Sequence, residues 1–189
     1  MNTTVIFKFI LVALCFSGAF ASCPTIFSKD RWGGRSAKHI DYIVRPVKYV
    51  IIHHTVSQSC SDENACCEQL TNIQSYHMDE LSFNDIGYNF MIGGDGNIYE
   101  GVGWHKEGAH TYGYNKKSIG IAFIGDFRRV APNQKQLKAA QKLIQCGEEL
   151  GELDRRYRLL GARSVSATES PGLALFRELT SWKGFTRNP

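Results

Sequence analysis

Beyond residue 21, the chain of 189 residues has no apolar run long enough to cross a bilayer, so no membrane-spanning helix is expected there. Blocks of like charge are also missing. Lys and Arg number 22 against 18 Asp and Glu, a formal charge of +4. The densest basic pairs, Arg128-Arg129 and Arg155-Arg156, form no stripe of the kind that nucleic-acid binding uses. There are no internal repeats and no low-complexity linker, which argues for a single domain. The glycines of GVGWHKEG (101–108) do not fall at dinucleotide-fingerprint spacing and have no βαβ context, and that reading is discarded. The cysteines offer no closed zinc cluster, because no fourth ligand appears at regular spacing.

What is present begins with a leader. A lone Lys8 precedes an apolar run from Phe9 to Phe16, and Ala19-Phe20-Ala21 supplies a small-x-small cleavage signal. Residues 1–21 therefore read as a secretory signal peptide, too short in its apolar part to be an anchor. Residues 22–189 then form one secreted, extracellular domain with room for a substantial core. Of the six cysteines, Cys15 leaves with the leader, and Cys23, Cys60, Cys66, Cys67 and Cys146 remain. In an oxidising compartment most should pair, and an odd count leaves one over. Cys60 has a short-loop partner in Cys66 or Cys67, while Cys23 and Cys146 can tie the N-terminus to a helix. No N-x-S/T sequon follows the one at Asn2, so N-glycosylation of the mature chain is not expected.

The periodicities give an α/β expectation. VKYVIIHH (47–54) is a buried strand, and IGIAFIGDF (119–127) is another. Between Asn64 and Leu81, the residues Cys66, Leu70, Ile73, His77 and Leu81 fall at helical spacing with one buried face. IGYNFMIGGDGNIYEG (86–101) reads as a hairpin around a Gly-Asp-Gly turn. Pro132-Asn133 opens a second helix with Leu137, Ala140, Leu143, Ile144 and Leu150 on one side and Gly151 as its stop. A third helix is expected over 173–182. Because of the hairpin the sheet must be mixed, flanked by about three α-helices.

His53 and His54 end a strand, and adjacent strand residues point to opposite faces, so at most one is expected to line a given site. His77 lies on the following helix, Tyr88 in the next strand, and His110 in the loop EGAHTYGYN. Imidazoles and a phenol at the ends of consecutive elements are what a binding cleft collects. Trp32 reads as core. Trp104, Tyr112 and Tyr114 suit either packing or stacking on a ligand. The segment LLGARSVSATESPG (159–172) reads as a loop closing over a site.

These residues carry a resemblance. RWGG at Arg31, VIIHHT at Val50, Cys60 with Cys66, FNDIGYNFMIGGDGNIYEGVGW from Phe83, GAHTYGYN from Gly108 and SIGIAFIGDF from Ser118 resemble the short secreted peptidoglycan recognition proteins of insects. That family shares its fold with zinc-dependent N-acetylmuramoyl-L-alanine amidases of the phage lysozyme type. The resemblance implies a Cys60–Cys66 bond and a mixed sheet with a peptidoglycan groove. For the groove, it implies contacts at His54, Thr55, His77, Tyr88, His110 and Asn115.

The resemblance also locates a departure. Family members that are amidases hold zinc with the leading His of the HHT motif, here His53, and with two ligands in a segment G-H-R…T-x-C-P-G. The matching stretch here puts Ala162 where the second histidine stands and Ser170 where the cysteine stands, while Tyr88 and Thr168, which assist catalysis in the amidases, remain. A catalytic zinc wants three protein ligands and one open position. Alanine has no lone pair, and a serine hydroxyl stays protonated near neutral pH. No metal cofactor and no zinc amidase activity are therefore expected. The competing enzymatic reading is a metal-free hydrolase with Ser170 as nucleophile and a nearby histidine as base. The family further sorts peptide stems by their third residue, with Gly-Trp and an Arg favouring diaminopimelate; here those positions hold Ser82-Phe83 and Val102. Lysine-type stems are the expected preference, with Lys106, Lys116 and Lys117 near enough in sequence to substitute in part for the Arg. Implied partners are bacterial peptidoglycan and extracellular proteins of an immune protease cascade upstream of Toll-type signalling. Nucleic acid and membranes are not among them.

Overall fold

The computed structural model describes residues 23–189; the leader and Cys15 lie outside the described residues. The strands are β1 (Ile26–Phe27), β2 (Val47–His54), β3 (Phe90–Ile92), β4 (Ile98–Glu100), β5 (Ser118–Phe123) and β6 (Leu153–Gly161), and they order as β1-β4-β3-β5-β2-β6 in one sheet. Among these six strands the β3–β4 hairpin pairs antiparallel, and β1–β4, β3–β5, β2–β5 and β2–β6 pair parallel. The helices are α1 (Glu63–Ser75), α2 (Gln134–Glu149) and α3 (Leu173–Leu179). This is the mixed α/β arrangement expected from the periodicities. Among the described residues no helix is long and apolar enough to cross a membrane.

Because helices cover both faces of the sheet, β2 is apolar through Val50, Ile51 and Ile52, all fully buried, where a half-exposed strand would alternate. One face packs Val50, Ile52, Ile119 and Ile121 against Leu137, Ala140 and Leu143 of α2 and Leu175 of α3. The other packs Met91, Tyr99 and Ala122 against Cys66 and Leu70 of α1. Two disulfides form: Cys60 takes Cys66 rather than Cys67, and Cys23 reaches Cys146 on α2. Among the described residues Cys67 is the free thiol.

Four details depart from the sequence reading. The first helix stops at Ser75 and continues as a π-helical turn over Tyr76–Glu80, with the Leu81 N–H donating to the Tyr76 carbonyl. The wider turn breaks the 3.6-residue period; His77 stays buried while Leu81 turns out to 42% exposure. At the end of α2, Leu150 is the C-cap and exposed, with Gly151 taking the left-handed φ of 72° that stops the helix. α3 ends at Leu179, and Trp182 is buried beyond it. Finally, β1 and β6 were not anticipated, and Leu159, Leu160 and Gly161 belong to β6 rather than to a loop.

Candidate functional site

Parallel pairing sets the site. The register Ile52↔Gly161 between β2 and β6 brings Ala162, the next residue, beside His53. On the other side β5 runs alongside, with Ile51 opposite Gly120. The ends of β2 and β6 therefore open into a cavity of about 500 Å³ walled by His53, His54, Thr55, Tyr88, His110, Ala162, Thr168 and Ser170. Both histidines of the pair reach it, contrary to the expectation of one. His53 faces the α1 side among Tyr88 and His110, with ring centroids 5.3 Å from each. His54 is the last residue of its strand, and its Nδ1 accepts from the Phe127 N–H at 3.2 Å on the opposite side.

The rings form a continuous row. Phe83 meets His77 at 5.4 Å, His77 meets Tyr88 at 5.6 Å, Tyr88 meets His53, and His53 meets His110. His77 is held from behind, because its Nδ1 accepts from the Gly87 N–H at 2.9 Å. Thr111, a residue the sequence reading missed, stands between two imidazoles: its Oγ1 lies 3.0 Å from His110 Nδ1 and 3.2 Å from His53 Nε2. Its single hydroxyl proton can serve only one of them. Nε2 of His110 is buried with no hydrogen-bond partner, although the residue as a whole is partly exposed at the cavity. It is an orphaned polar atom behind the wall of the site, on the Gly120 side of the ring.

Burial lowers the pKa of His53, His54, His77 and His110, with His110 pushed down to about 3; for His53 the neighbouring imidazoles His110 and His54 add to the effect. Burial also pushes the Tyr88 phenol up to about 12. At neutral pH the site therefore holds neutral imidazoles and a protonated phenol, donors and acceptors without net charge.

The remaining expected residues divide. Asn115 supports the loop: its Oδ1 accepts from the N–H groups of His110 at 3.1 Å and Thr111 at 2.8 Å. It also lines a second, smaller cleft of about 230 Å³ with Val102, Lys106, Gly108 and Ala109. Thr55 Oγ1 accepts from the Gly125 N–H at 3.0 Å and shares a proton with Ser57 Oγ. Ser82 takes a left-handed φ of 58° at the exit of the π-helical turn. Trp32 is core, Trp104 packs on Phe90 at 4.5 Å, and Tyr112 is fully exposed; none of them walls the cavity. Lys117 sits over Tyr114 at 4.2 Å, whereas Lys106 does reach the cleft of Val102.

On the amidase side, Ala162 is fully buried and presents only a methyl group. Ser170 Oγ accepts from the His54 N–H at 3.1 Å, and the Ser170 N–H donates to Thr168 Oγ1 at 3.1 Å. Among the described residues no group of three or more His, Cys, Asp or Glu is arranged to hold a metal ion.

Sequence reasoning also missed Asn89 and Gly120. Asn89 is fully buried; its Oδ1 accepts from the Gly120 N–H, and its Nδ2 donates to the carbonyls of Gly103 and Lys106. It ties the floor beneath His110 to the loop that carries Val102.

Comparison with known proteins agrees with this geometry. The family profile described as N-acetylmuramoyl-L-alanine amidase matches residues 44–173. Peptidoglycan-recognition protein 2 of Holotrichia diomphalia is 58% identical over 95% of this chain and 96% of its own. The solved structure of Drosophila peptidoglycan recognition protein SA is 50% identical, superposes with a TM-score of 0.87, and is covered over 96% of its length by 88% of this chain. A human relative solved in complex with a glycosamyl muramyl pentapeptide is 43% identical with a TM-score of 0.84, over 87% of this chain and 99% of that one. The chain belongs to the N-acetylmuramoyl-L-alanine amidase family, among its peptidoglycan-recognition proteins.

Proposed function

We propose that the chain is a secreted receptor for bacterial peptidoglycan in innate immunity, with residues 22–189 as the mature domain, and that it binds without cutting by zinc chemistry. The observation that carries this reading is the composition of one cavity. His53, His54, Tyr88 and His110 wall it as neutral donors and acceptors, while the positions beside His53 that would complete a metal site hold Ala162 and Ser170. His53 alone, with Nε2 facing Thr111, does not make a three-ligand zinc site, so the residues do not fit a resident zinc. The neutral imidazoles, phenol and hydroxyls, with Arg128 and Glu169 at one edge of the wall, suit a ligand dense in amides and hydroxyls, and the human relative bound to a muramyl pentapeptide supports that ligand class. In this reading His54, Thr55, His77, Tyr88 and His110 contact the ligand, and Asn115 holds the loop beneath it. A receptor that does not turn over its ligand can report only through what it binds next. That favours an extracellular protein partner, of the protease-cascade type upstream of Toll-type signalling.

The preference is for lysine-type stems. Val102 gives no cation to the extra carboxylate of diaminopimelate, and burying that group unpaired is costly. Lys106 lines the same cleft and offsets part of the difference. Val102→Arg is expected to raise affinity for diaminopimelate-type muropeptide relative to lysine-type.

The deciding experiment incubates purified protein with both peptidoglycan types. Pull-down without released muropeptides or free D-alanine supports the receptor; cleavage of the lactyl-amide bond sinks it. The Ser170 hydrolase finds no support in the geometry. The serine oxygen accepts from a main-chain N–H, and among the described residues no imidazole nitrogen hydrogen-bonds to it. Turnover abolished by Ser170→Ala would reinstate that alternative.

A further inference from the structure

The cleft does not end at Ser170. Arg128 and Glu169 line both the His53 cavity and an adjoining hollow of about 700 Å³, whose other walls are Asp126, Arg129, Val130, Arg163 and Leu173. The topology explains the convergence. Arg128–Val130 follow β5, Arg163 lies in the turn after β6, Leu173 opens α3, and β5 and β6 flank β2. Both carboxylates of the hollow turn toward Arg128: Asp126 Oδ2 lies 2.5 Å from Nη2, and Glu169 Oε2 lies 3.8 Å from Nη1. Among the described residues no carboxylate lies within 4.0 Å of Arg129 or Arg163. The Arg163 guanidinium sits 5.5 Å over the Phe176 ring, and Arg129 is exposed. Beside them Val130 and Leu173 expose aliphatic surface, Val130 at 73%. Two unpaired guanidiniums beside apolar surface, continuous with a polar cleft, suit an oxyanion attached to a partly apolar chain.

A glycan chain bearing peptide stems presents a carboxylate at every repeat. We propose that this hollow is a second subsite that accepts a stem carboxylate from a neighbouring repeat of the same polymer, with Arg129 and Arg163 as its cationic pair. The inference rests on the receptor reading above and extends it from the fragment to the polymer. It gives the cleft a way to favour intact wall over shed fragments, since only a polymer can fill both subsites at once.

The test compares wild type with Arg129→Gln/Arg163→Gln on three soluble probes: a single disaccharide-peptide, a phosphate-free chain of several such repeats, and that chain with its stem carboxylates amidated. Wild type is expected to bind the chain more tightly per repeat than the single unit. The double variant should lose about fivefold on the chain, as two exposed ion pairs would, and stay within about twofold on the single unit and on the amidated chain. Equal losses on chain and single unit, or no loss on either, overturn the second subsite. So does an equal loss on the amidated chain, which would take the stem carboxylate out of the contact. A wild-type chain that binds neither the single unit nor the polymer overturns the receptor reading itself. Matching thermal unfolding curves for the two proteins establish that the variant is folded.

Discussion

The His110 ring lies directly against the main chain at Gly120. A Cβ built on Gly120 would stand 2.4 Å from His110 Cδ2 and 2.7 Å from Nε2, so the seat of the ring has no room for a methyl group. Gly120→Ala should therefore displace the imidazole, cost about 1–3 kcal/mol of stability through overpacking, and weaken muropeptide binding about tenfold. Denaturant unfolding and calorimetric titration would read the two effects; an alanine variant with wild-type affinity would show that the ring position does not matter. The same imidazoles make stability depend on pH. Unfolded histidine titrates near 6.5, whereas burial lowers His53, His54, His77 and His110 in the fold, the last to about 3. Between pH 6.5 and the folded values the unfolded chain binds more protons, so stability is complete above 6.5 and is lost as pH falls. Each such group contributes about 1.4 kcal/mol per pH unit inside its own window. The urea midpoint at pH 5 should lie well below that at pH 7.5 with an unchanged slope. Equal midpoints would mean that these rings are not buried as neutral species.

Two adjacent strand ends decide whether the cavity can hold a metal. β2 delivers His53, and β6, in parallel register with it, delivers Ala162; Ser170 returns on the following loop to meet the His54 N–H. Ala162→His with Ser170→Cys should therefore rebuild a three-ligand set on an intact frame and bring zinc to near one ion per chain by elemental analysis. A folded double variant that stays metal-free would mean that more than the ligands has diverged. The placement of β6 was also the least legible part of the sequence. Its outward face carries Arg156 and Arg158, and the Asp-Arg-Arg run masks the inward alternation of Tyr157 and Leu159. The central strands, the hairpin and α2 were readable because their apolar periods are uninterrupted. α1 was readable only to the point where its period changed from 3.6 to the wider π-helical turn. Within the site, the side chains that face the cavity announced themselves as imidazole and phenol. Thr111, Asn89 and Gly120 did not, because each acts by holding another residue and its type is ordinary in a strand or loop.

At the scale of the whole molecule, the two covered faces of the sheet are tied by bonds of very different reach. Cys60–Cys66 closes a loop of sequence separation 6 at the start of α1, while Cys23–Cys146 spans a separation of 123 and joins the N-terminal segment to α2. That segment crosses from the α2 face to the α1 face: Ile26 packs against the core shared with α2, and Trp32 is buried in the core shared with α1, its Nε1 donating to the Glu100 carbonyl at 2.8 Å. If a cross-link acts by restricting the unfolded chain, the longer loop stabilises more, at about 5 kcal/mol against about 2 kcal/mol for the shorter. Replacing both members of each pair by serine should therefore separate the two. Cys23→Ser/Cys146→Ser is expected to lower unfolding stability by the larger amount with the cleft unchanged, because neither residue lines it. Cys60→Ser/Cys66→Ser should cost less overall, yet it removes a bond packed beside Leu70 and Met91 in the core that backs the ring row, so ligand affinity should fall with it. Denaturant unfolding under oxidising conditions, paired with muropeptide titration of each variant, reads both quantities. The reverse order of stabilities would mean that native packing around Cys60–Cys66 outweighs chain entropy in holding this fold.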